Sequence, residues 1–123
     1  VDMAGIGPFV PHPRTPLGDQ PAGDPFLVLK TVALARLLLR RPHLPATTAL
    51  GVLDRRMRDW AFHGGANVVM QKLEPHRYRR LYDIYPKGVG EERSIAEERE
   101  ELERALESMG LRVARDRGDA VRV

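Results

Sequence analysis

The chain has 123 residues, of which 42% are hydrophobic and 30% charged, the balance of a soluble globular protein of ordinary one-domain size. Its net charge of +3 and pI near 9.7 come mostly from arginine. Those arginines sit in amphipathic segments beside acidic residues, the pattern of a solvated surface, so nucleic acid is not an expected partner. Cysteine is absent, which excludes disulfides, thiolate nucleophiles, and thiolate ligation of zinc or iron–sulfur clusters.

Met3 to Val10 is a short apolar run with no polar face, the reading of a parallel strand buried on both sides; Pro11-His12-Pro13 ends it. A loop rich in Gly, Pro and Asp follows, to Asp24-Pro25, where a carboxylate N-cap precedes a proline whose missing N–H costs nothing. The helix begun there is predicted to reach about Arg40, with Pro42 stopping it. Leu44 to Leu50 reads as a second strand. Asp54 caps a second helix with Met57, Trp60 and Ala61 on one face, ended by Gly64-Gly65. Ala66 to Met70 reads as a third strand. Pro75 opens a segment in which Tyr78, Leu81, Tyr82 and Tyr85 line one helical face. Ser94 with Glu97 forms a capping box for a last helix that buries Ile95, Leu102, Ala105, Leu106 and Met109, closed by Gly110.

The order β-α-β-α-β-α-α predicts an α/β fold with a parallel sheet and right-handed crossovers. Three strands alone would leave both edges unpaired and cover one face only, so the pattern reads as the end of something larger. The initial valine points the same way, to processing or a fragment. No apolar run reaches the roughly 18–20 residues that span a bilayer, because Lys30 and Arg36 interrupt the longest, Phe26 to Leu39. With no signal-peptide pattern, a cytoplasmic location and no membrane partner are expected.

Four segments, in order, carry a resemblance. GIGPFVPHPRTPLGDQPAGD at Gly5 to Asp24, PATTALG at Pro45 to Gly51, GANVVM at Gly65 to Met70 and YRRLYDIYP at Tyr78 to Pro86 resemble the radical-SAM iron–iron hydrogenase maturase family. They match its stretches at the sixth, seventh and eighth barrel strands and the tyrosine-rich helix beyond. Biotin synthase and methylornithine synthase are relatives sharing the barrel. The resemblance implies strands 6–8 of a (β/α)8 TIM-type barrel with their helices, as a partial barrel at residues 1–86, then a helical extension and tail at 87–123.

It further implies an enzyme that binds S-adenosylmethionine to a 4Fe-4S cluster and uses a 5′-deoxyadenosyl radical on a small-molecule substrate, in hydrogenase H-cluster assembly. The family holds that cluster on a Cys-x3-Cys-x2-Cys loop, which this chain lacks, so the fragment alone is expected to be inactive, with no catalytic residue and no metal ligand of its own. Its partners by this reading are the missing N-terminal barrel half and other hydrogenase maturases. The family pattern assigns Phe9, Val10 and Met70 to cofactor binding, and Met3, Thr47, Thr48, Tyr82 and Tyr85 to substrate binding. Threonine hydroxyls suit an anionic substrate group, and phenols can hydrogen-bond a substrate while excluding water.

The chain departs from the pattern at Gln71-Lys72, where the family has proline and asparagine, at Arg14 for aspartate, and at Lys87-Gly88. GVGEERSIAEEREE excludes the accessory cluster that some members carry there. Three alternatives therefore stand beside the maturase reading. One is a biotin synthase-like or methylornithine synthase-like enzyme, and another a non-catalytic truncated module that binds a partner. The third is a basic nucleic-acid binder built on Arg55, Arg56, Arg58, Arg77, Arg79 and Arg80. The isolated chain is expected to expose the barrel-interior face of its sheet, and so to aggregate or associate.

Overall fold

A computed structural model describes residues 1–79, 81, 84–86 and 94–120. The described residues form five helices: α1 (Pro25–Leu39), α2 (Thr48–Leu53), α3 (Arg55–His63), α4 (His76–Arg79) and α5 (Ile95–Ser108).

Local chemistry sets the helix ends. The Asp24 carboxylate accepts the Phe26 N–H at 2.8 Å with Pro25 in the first turn, and Asp54 does the same for Arg56 at 2.9 Å. Ser94 and Glu97 complete a reciprocal capping box at the start of α5. Gly65 (φ +103°) and Gly110 (φ +74°) follow α3 and α5 in the left-handed region that glycine enters without penalty.

The expected parallel sheet is not formed. Among the described residues the three runs read as strands meet only through isolated parallel bridges, Met3 to His43 and Pro45 to Val68. Ala4 N–H donates to the His43 carbonyl and His43 N–H to that of Asp2, both at 2.9 Å. Ala46 N–H donates to the Val68 carbonyl at 2.8 Å, and Asn67 N–H to that of Leu44 at 2.9 Å. Proline explains why the first ladder stops. The next donor toward the Met3 run would be residue 45, and Pro45 has no N–H. The second stops because Thr48 already belongs to α2, so the run expected to reach Leu50 leaves the extended conformation after Thr47. The expected partial (β/α)8 barrel is corrected accordingly: the described regular structure is helical.

One compact unit comprises Val1–Met70 with Ile84–Pro86 and Ala120. Its core joins Val28 and Val32 of α1, Leu44 and Ala46, Leu50 of α2, Met57 and Ala61 of α3, and Ala66. Leu44, Leu50 and Val32 are sealed from solvent, and each such side chain contributes about 1.5–3 kcal/mol by leaving water. Arg36 fastens the far end of α1. Its Nε donates to the Gly65 carbonyl (2.8 Å), one terminal nitrogen to the Arg40 and Pro42 carbonyls (2.8 and 2.9 Å), and the other to Asn67 Oδ1 (3.0 Å). Asn67 Oδ1 also accepts the Leu44 N–H at 2.8 Å.

The other unit draws on residues 71–83 and 87–119. Arg79 is its anchor, donating to Glu98 at 2.6 Å and to the Lys72 carbonyl at 3.1 Å, with Glu74 at 3.6 Å. Gln71 Nε2 donates to the Ile95 carbonyl at 3.2 Å. Of the residues expected inside α5, Leu106 is buried, while Ile95, Leu102, Ala105 and Met109 are half-buried. The expected tyrosine-lined helix is one turn only, α4, with Tyr78 and Leu81 exposed and Tyr85 in a bend. Tyr82 lies outside the described residues.

Candidate functional site

The Met3–Val10 run carries Met3, exposed beside its bridge to His43, then Phe9, exposed, and Val10, half-buried. The Phe9 carbonyl accepts the Gly23 N–H at 2.8 Å, which closes the loop between them into one compact turn-rich excursion. Inside it, buried His12 accepts the Arg14 N–H on Nδ1 at 3.2 Å, and its carbonyl accepts both Thr15 donors.

Thr47 is the N-cap of α2 rather than a strand tip, and its side chain makes no capping bond. Its Oγ1 is buried without a hydrogen-bond partner. Gly7 lies against it so closely that an added Cβ would stand 2.9 Å from that oxygen. Thr48, half-buried, is the first residue of α2. Gly7 and Thr47 are thus brought together. Met70 is exposed at the end of its run, and Tyr85 is half-buried in the same compact unit.

The side of α1 turned away from the core is a second feature, which reading the sequence element by element missed. Phe26, Leu27, Leu34, Leu37 and Leu38 are all exposed on it, while Val28 and Val32 hold the core side. The signal was present in PFLVLKTVALARLLL, which is apolar on every face, and such a helix is ordinarily enclosed. Phe26 makes an edge-on contact with Trp60 of α3 at 6.2 Å between ring centres.

Surface electrostatics are local. The side-chain bond from Arg56, with its backbone N–H, holds the Asp54 carboxyl below its ordinary range, and the same contact raises the Arg56 guanidinium. Arg58 likewise pairs with Asp59 at 3.3 Å.

No group of three or more metal-ligating side chains occurs among the described residues, and the sequence has no cysteine. A 4Fe-4S cluster has no ligand set here. The same residues offer no seat for S-adenosylmethionine on such a cluster. Together with the missing barrel, this overturns the expectation of a radical-SAM enzyme acting through a 5′-deoxyadenosyl radical in H-cluster assembly, and with it the biotin synthase-like alternative. No described helix is long and apolar enough to cross a membrane.

Compared with known proteins, the chain matches no family model. It is 51% identical over 85 residues to the FeFe-hydrogenase maturase subunit HydE of Thermotoga maritima, covering 69% of this chain and 24% of that protein. It is 36% identical over 55 residues to a biotin synthase of Saccharophagus degradans, covering 45% of this chain and 16% of that one. A biotin synthase of Methylobacterium radiotolerans is 36% identical over 64 residues, covering 52% of this chain and 19% of its own length. The chain thus spans a quarter or less of each curated relative. The likeness is one of sequence over part of each protein, and the barrel expected from it does not accompany it.

Proposed function

We propose that this chain is a non-catalytic binding module whose Val1–Met70 portion docks polypeptide along the outward side of α1. One observation carries the reading: a helix with an apolar core face also exposes five large apolar side chains on its other side. Exposed apolar surface of that continuity marks interaction sites in soluble proteins, because covering it removes hydrocarbon from water at about 25 cal/mol per Å².

Cysteine chemistry tests this without interference, since the chain has none of its own. Thr31→Cys places a thiol on the outward side of α1, and Gln20→Cys places one on the exposed loop as a reference. Docking slows maleimide labelling at position 31 relative to position 20, in intact expressing cells or in concentrated purified protein. Equal labelling in both settings refutes the reading.

A second reading rests on the buried, unbonded Thr47 hydroxyl. In it, a small polar ligand bonds Thr47, with Thr48, Phe9, Val10, Met3, Met70 and Tyr85 contributing walls. A ligand that shifts the melting temperature of the wild type but not of Thr47→Val would support it.

A further inference from the structure

We draw no further inference here: the strongest candidate, the outward apolar face of α1, already carries the docking reading, and nothing in the structure shows which polypeptide covers it.

Discussion

Arg36→Met keeps much of the apolar stem of the side chain while removing every hydrogen bond of its guanidinium. Wild-type Arg36 donates to three backbone carbonyls and to Asn67 Oδ1. The bond to the Arg40 carbonyl is solvent-exposed and is replaced by water at little cost. Those to Gly65 and Pro42 are partly buried, and each hydrogen bond to a charged group contributes about 1.5–3 kcal/mol net. Allowing for partial solvation, the loss should be about 2–4 kcal/mol, a large share of the 5–15 kcal/mol that typically holds a domain. Arg36→Lys should recover less than half of it, because a point charge cannot span diverging acceptors as a planar guanidinium does. Urea titration of dilute protein, read by fluorescence of the one tryptophan, reports α1 and α3 together because Trp60 touches Phe26. A midpoint for Arg36→Met within error of wild type, or full rescue by lysine, would refute the role of this fork in fastening α1 to the turn after α3.

Gly65→Ala should destabilise by about 1–3 kcal/mol in the same titration, since φ is +103° and an added Cβ would lie 2.6 Å from the Arg36 side chain. Asp24→Ala should cost about 1 kcal/mol and lower helicity by circular dichroism through loss of the bond to Phe26 N–H. Thr47→Val should leave stability unchanged or raise it by about 1 kcal/mol, because it removes a buried hydroxyl that bonds nothing; a clear loss would show that the hydroxyl is partnered. Asp54 is lowered in the folded state chiefly by its side-chain bond to Arg56, so its contribution is present above the unfolded carboxylate range and lost as pH falls through the folded value. Because Arg56 is largely exposed, so that solvent screens the pair, the acid-side loss should be small, absent in Asp54→Asn and weaker at high salt.

Features written in a few adjacent residues were legible. Asp24-Pro25, Asp54, Ser94 with Glu97, Gly65 and Gly110 mark the helix ends where the structure places them, because a cap needs only its own side chain and the next turn. Features that depend on distant partners were not. The apolar runs at Met3, Leu44 and Ala66 do lie side by side, but Pro45 denies the ladder a donor, and Thr48 to Leu53 turn helical, burying Ala49 and Leu50. The β-branched pair Thr47-Thr48 suggested a strand tip. Burial of the residues after it against α3 outweighed that propensity, and Thr47 became a helix N-cap. The outward side of α1 is not legible from its own segment, because propensity and periodicity say whether an all-apolar helix forms and not how many neighbours cover it.

Whether polypeptide covers this outward side of α1 is tested most directly by the labelling rate of Thr31→Cys against Gln20→Cys. If it does, the thiol at position 31 labels several-fold more slowly than the one at position 20, in cells or in concentrated solution. The difference should then disappear when Leu34→Lys is added. Equal rates under every condition would contradict the docking of polypeptide on α1.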